Sequence, residues 1–110
     1  MNLTVNVVEE SGKSVLNLSG EIDAYTAPQL KESLLPLTQR KGNTVEVNLE
    51  NVNYMDSTGL GIFVSALKST KENGSKLVLV NLQDRILRIF EITGLDDIIE
   101  IRAAIRGGNE

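Results

Sequence analysis

The hydrophobic residues of this chain change their period along its length, and that change limits the folds open to it. Leu3, Val5 and Val7 alternate with Thr4 and Asn6, the two-residue period of a half-buried strand. Glu10-Ser11-Gly12-Lys13 supplies turn chemistry, and Val15 to Leu18 resumes an extended pattern, which predicts an N-terminal hairpin. The period then lengthens. Thr26-x-x-Gln29 matches a capping box, and Leu30, Leu34 and Leu37 share one face of the helix it opens. Gly42 is expected to end that helix, with a kink at Pro36, which lacks an N–H and crowds the Glu32 carbonyl.

Val45, Val47 and Leu49 return to alternation, and residues 51–55 read as a connection to Asp56-Ser57-Thr58-Gly59. Leu60, Phe63, Val64 and Leu67, spaced i, i+3, i+4, i+7, predict a second helix that closes at Asn73-Gly74. Leu77 to Val80 is a continuous apolar run, as in a strand covered on both faces. Ile86, Ile89 and Phe90 mark a third helix ending at Gly94, and Ile98 to Ile101 a short last strand. Residues 102–110, which include Gly107-Gly108, read as a frayed tail. A hairpin followed by alternating helices and strands is an α/β arrangement: a mixed β-sheet with about three to four helices packed against it.

With 110 residues the chain suits a single domain over 1–110, with no internal repeat or linker. Eleven Lys and Arg against 15 Asp and Glu give a formal charge of −4, the wrong sign for a protein that grips a phosphate backbone, so no nucleic-acid partner is expected. Lys68, Lys71 and Lys76, and Arg85 with Arg88, read as solvated faces. No apolar run approaches the roughly 20 residues that span a bilayer, so no membrane association is expected. The N-terminus lacks a basic region followed by an apolar stretch, and there is no cysteine; together these point to the cytoplasm.

Several catalytic motifs begin and fail. Gly12-Lys13-Ser14 ends like a phosphate-binding loop, but the glycine needed five positions earlier is Val7. Gly59-x-Gly61 opens a helix after a strand, but the third glycine of a dinucleotide fingerprint is Val64. The two glycines then serve to bring the helix start close to another backbone, of the sheet or of a partner. Ser57 has a glycine two residues after it, yet Met55 stands where a nucleophile elbow needs another. The chain has no histidine, so a Ser-His-Asp relay cannot form, and without His or Cys a transition-metal site has no ligands to start from.

Asp56-Ser57-Thr58-Gly59 supports two compatible readings. Asp56 or Ser57 caps the helix by offering oxygen to a free N–H. Equally, a hydroxyl at a helix start is exposed, and phosphorylation there adds about −1.5 to −2 charges. The helix end tolerates that charge, while a partner docked over the same spot meets like charge and bulk, which costs several kcal/mol. A fold that survives while its interface fails is what a reversible switch needs.

Tyr54-Met55-Asp56-Ser57-Thr58-Gly59-Leu60-Gly61 resembles the phosphorylation-site signature of the bacterial STAS-domain anti-sigma factor antagonists. Gly20-Glu21-Ile22-Asp23-Ala24-Tyr25-Thr26-Ala27-Pro28 resembles that family's segment before the first helix, and Leu87 to Leu95 its third helix and cap. The likeness runs through nearly the whole chain in order and is nearest to the RsbV type, which regulates a general stress sigma factor. It implies a protein that is substrate and ligand, not enzyme. Its unphosphorylated form binds an anti-sigma factor that is also a serine kinase and so frees the sigma factor. Phosphorylation of the motif serine, here Ser57 with Thr58 as the alternative, breaks the complex, and a PP2C-type metal-dependent phosphatase restores it. No cofactor is implied for this chain; ATP and magnesium belong to the kinase. By the same resemblance Asp56, Gly59 and Gly61 shape the acceptor turn, and Asp23 and Thr26 lie beside it against the kinase. For Asp23 and Thr26 the plainer roles are a loop acid and a helix cap. Two rival readings are a STAS scaffold in another signalling complex and a small nucleotide-binding protein.

Overall fold

The computed structural model describes residues 2–103. Its strands are β1 (Leu3–Glu10), β2 (Lys13–Ile22), β3 (Thr44–Met55), β4 (Lys76–Leu82) and β5 (Glu100–Ala103). Its helices are α1 (Ala27–Thr38), α2 (Ser57–Asn73) and α3 (Asp84–Ile92), with a 3-10 turn at Leu95–Asp97. The sheet runs β1-β2-β3-β4-β5: an antiparallel hairpin, then parallel pairs throughout. This is the mixed α/β arrangement expected, hairpin included.

A single apolar cluster unites one face of the sheet with all three helices. Leu16, Leu18, Val45, Val47 and Leu79 of the strands meet Leu30, Leu34, Phe63, Ile86 and Phe90. Phe63 and Phe90 pack edge to face with ring centroids 6.0 Å apart, tying α2 to α3. The other sheet face carries no helix among the described residues. Asn48 donates to Asn17 at 3.1 Å and accepts from Asn81 at 3.3 Å there, and Lys13 pairs with Glu46 at 3.4 Å.

Several expected boundaries move, each for a physical reason. The connection at 51–55 is strand: β3 continues to Met55, and its register against β2 shifts between Asn17 and Ser19 and again between Gly20 and Glu21. Those bulges break the alternation, so the core-facing residues after Leu49 are Val52 and Met55. Helix α1 stops at Thr38, where the Gln39 N–H turns back to the Pro36 carbonyl; Gly42 lies beyond it in the loop. The core face of α2 is Gly59, Phe63, Ala66, Ser69 and Thr70, with Leu60 and Leu67 at its flank and Val64 half-exposed. Small residues, which carry no hydrophobic signal, let the helix sit close to its neighbours. The run Leu77–Val80 is buried, but Val78 and Val80 are shielded between register neighbours on β3 and β5 rather than under a helix. The last strand begins at Glu100, not Ile98, because the 3-10 turn leaves Ile98 outside at 55% exposure. Arg102 and Ala103 pair with Val80 and Leu82 rather than fraying; the rest of the expected tail lies outside the described residues.

Candidate functional site

Strands β2 and β3 end side by side, with Ile22 opposite Met55. The Asp56 N–H donates to the Ile22 carbonyl at 3.2 Å, so the chain leaving β3 is fastened to the end of β2. Two turns therefore depart from one place: residues 23–26 toward α1, and Asp56 toward α2.

Asp56 is the N-cap of α2. Its backbone is extended (φ −109°, ψ −172°), and its Oδ1 accepts from the Thr58 N–H at 3.0 Å and the Gly59 N–H at 3.3 Å. Of the two caps the sequence allowed, the aspartate takes the role and leaves the serine free. Ser57 is the first helical residue, is exposed, and its hydroxyl has no hydrogen-bond partner among the described residues. Thr58 beside it is exposed as well.

The two glycines of the turn have different reasons. A Cβ on Gly59 would stand 2.7 Å from Ile22 Cγ2 and 2.8 Å from Met55 Cγ, so Gly59 lets α2 start against the sheet. A Cβ on Gly61 would meet nothing within 4 Å, and the residue is exposed. Nothing in this domain requires glycine at position 61.

Asp23 and Thr26 come to the same end of the sheet but face inward, at 7% and 5% exposure. Thr26-x-x-Gln29 is not the capping box. Thr26 has helical backbone angles (φ −93°, ψ −16°), and Gln29 Nε2 instead donates to the Leu3 carbonyl at 3.1 Å. The box forms one turn earlier, as Asp23-x-x-Thr26. Asp23 Oδ1 accepts the Thr26 N–H at 3.0 Å and the Tyr25 N–H at 2.9 Å, while Thr26 Oγ1 accepts the Asp23 N–H at 2.9 Å. Thr26 Oγ1 also donates to the Glu21 carbonyl at 2.8 Å, so the turn is fixed to the strand before it. Asp23 and Thr26 together present the rigid turn of residues 23–26 beside Ser57.

Two residues near the site carried no weight in the sequence. Tyr25, on that turn, is 87% exposed, and Tyr54, at the end of β3, is 45% exposed. The available signal was their position, each within three residues of a motif residue. Elsewhere, a polar depression lined by Glu10, Gly12, Arg40, Lys41, Gly42 and Asn43 lies at the opposite strand ends, away from Ser57. Among the described residues no cluster of three acidic side chains could hold a metal ion, and no helix is long and apolar enough to cross a membrane.

The STAS domain family matches residues 4–107, all but the ends of the chain. This chain belongs to the STAS-domain family. Among its relatives is the anti-sigma-B factor antagonist of Bacillus subtilis (strain 168), 47% identical over 98% of each chain. The protein of the same name from Listeria monocytogenes is 48% identical over 93% of this STAS domain and 90% of its own length. In three dimensions the domain resembles an anti-sigma factor antagonist from Mycobacterium paratuberculosis, with a TM-score of 0.76 and 29% identity, covering 92% of this chain and 86% of the other. The hairpin-led five-stranded sheet with three helices is the STAS fold.

Proposed function

We propose that this STAS domain is an anti-sigma factor antagonist controlled by phosphorylation of Ser57. The observation that carries the reading is the state of that side chain: an exposed, unbonded hydroxyl at the first position of a helix, on a turn locked to the sheet by Asp56 and Gly59. The names of relatives at 47% and 48% identity support the antagonist role. In the unphosphorylated state the surface around Ser57 binds an anti-sigma factor and releases the sigma factor. The anti-sigma factor is itself a serine kinase that brings its own ATP and magnesium, transfers phosphate to Ser57 and lets go. A PP2C-type metal-dependent phosphatase removes the phosphate and restores binding. This chain supplies the acceptor and the docking surface, without catalytic groups of its own. The domain works in the cytoplasm, where the sigma factor meets RNA polymerase.

The added phosphate acts mainly on the interface. Asp56 already occupies two amides of the helix end, so an anion on Ser57 meets the helix dipole and a neighbouring carboxylate together. The domain tolerates the charge without being much stabilised by it. A partner that must cover it loses several kcal/mol, and each 1.4 kcal/mol is about tenfold in affinity.

Intact-mass spectrometry after incubation with the anti-sigma factor of the same organism and ATP, followed by site mapping, tests the reading. One phosphate, on Ser57, is the expected result. An unmodified protein, under conditions where that kinase modifies a known substrate, would overturn it.

A further inference from the structure

The aromatic residues of this domain divide cleanly by location. The chain has two Phe and two Tyr and no Trp. Both phenylalanines are fully buried and packed on each other in the core. Both tyrosines are at the surface, and both are at the one sheet end that carries Ser57. Tyr25 is the extreme case, with 87% of its surface exposed.

A large exposed ring on a loose loop has little binding value, because ordering it costs conformational entropy. Tyr25 is not on a loose loop. Its N–H is held by Asp23 Oδ1 at 2.9 Å, and the residues on either side of it in the turn are fixed by the reciprocal Asp23–Thr26 bonds and by the Thr26 bond to Glu21. The turn then enters α1 through the Ala27 N–H to Asp23 carbonyl bond at 2.8 Å. Four hydrogen bonds, made by two buried polar side chains, thus hold in place a backbone whose only large side chain points into solvent. No described residue bonds the phenol. An aromatic ring with one free polar tip on a preorganised backbone is the residue type that dominates binding energy at protein interfaces.

We infer that Tyr25 is the principal anchor by which this domain grips its anti-sigma factor, its ring entering an apolar recess of that partner beside the surface that receives Ser57. The inference rests on the proposed function and deepens it. Ser57 supplies the on–off control, and Tyr25 supplies affinity in the on state. Asp23 and Thr26 act through Tyr25 as positioning residues.

Titration calorimetry of the parent, Tyr25→Ala and Tyr25→Phe, each unphosphorylated, against the anti-sigma factor that modifies Ser57 tests this. Tyr25→Ala is expected to bind at least roughly 30-fold more weakly, the level that defines a hot spot, and Tyr25→Phe within about threefold of the parent. The urea unfolding midpoint of Tyr25→Ala should stay close to the parent's, since the residue buries little of its surface in the domain. In the kinase reaction Tyr25→Ala should raise KM while leaving kcat near the parent value. Binding of Tyr25→Ala within about threefold of the parent would overturn the anchor and leave the Ser57 switch standing. A parent that is neither bound nor phosphorylated would overturn both.

Discussion

Single residues at the start of α2 separate what the fold needs from what a partner needs. Gly59 belongs to the fold. A methyl group there meets Ile22 and Met55 below 3 Å, so Gly59→Ala should cost about 1–3 kcal/mol, read as a lower urea midpoint. Gly61 faces open space, and alanine is the better helix former by up to about 1 kcal/mol. Gly61→Ala should therefore unfold at the same or higher urea concentration than the parent, yet bind the anti-sigma factor more weakly if that partner approaches the helix backbone closely. Ser57→Asp places a charge on an exposed, unbonded position. It should unfold within about 0.5 kcal/mol of the parent while losing binding, whereas Ser57→Ala should bind persistently and accept no phosphate there. An Asp variant that bound like the parent would show that charge is not the switch.

At the scale of elements, two polar devices close the two ends of the sheet. Near Ser57 the Asp23–Thr26 box fixes the entry to α1, and Asp23→Ala should cost about 0.5–2 kcal/mol, measured by denaturant unfolding. At the opposite end buried Asn43 donates to the Leu37 carbonyl and to Ser14 Oγ, both at 3.0 Å, joining the end of α1 to β2. Asn43→Ala removes both buried bonds and should lower stability by about 1–3 kcal/mol in the same measurement. The elements themselves were legible from periodicity, because Leu30, Leu34 and Leu37 or Val45, Val47 and Leu49 are bulky and evenly spaced. What escaped was structure made by small or irregular means. Bulges hid the second half of β3, and Gly59, Ala66 and Ser69 hid the true face of α2. At the turn into α2 Asp56, Ser57, Thr58 and Gly59 were legible as a helix start, since local sequence decides a cap. Tyr25 was not, because an exposed aromatic in a turn has no period; its meaning depends on which strand ends lie together.

At the scale of the whole molecule, two exposed charge clusters shape the response to acid. A hydrogen bond from Arg40 holds Glu9 below its ordinary value, and hydrogen bonds from Arg102 and then Lys76 do the same for Glu100. Carboxyls depressed in the folded state contribute stability above their unfolded pKa, about 4.3 for glutamate, and lose it as pH falls through the lower folded values. Thermal midpoints should decline only below about pH 5, and Glu9→Gln and Glu100→Gln should each lose part of that decline. With no histidine or cysteine in the chain, no side chain ordinarily titrates between about pH 6 and 7.5, so midpoints should be level across that range. A slope there would point to a group perturbed by an assembly this chain forms.

The bond from Asp56 to Ile22 and the seat of Gly59 on the sheet have a consequence for traffic between partners. A turn fastened that firmly cannot swing out to offer its serine on a second side. The proposed kinase and phosphatase must then take turns on one small patch, each excluding the other while it is there. The ratio of modified to unmodified protein becomes a contest for occupancy, set by how much of each enzyme is present and how long each stays.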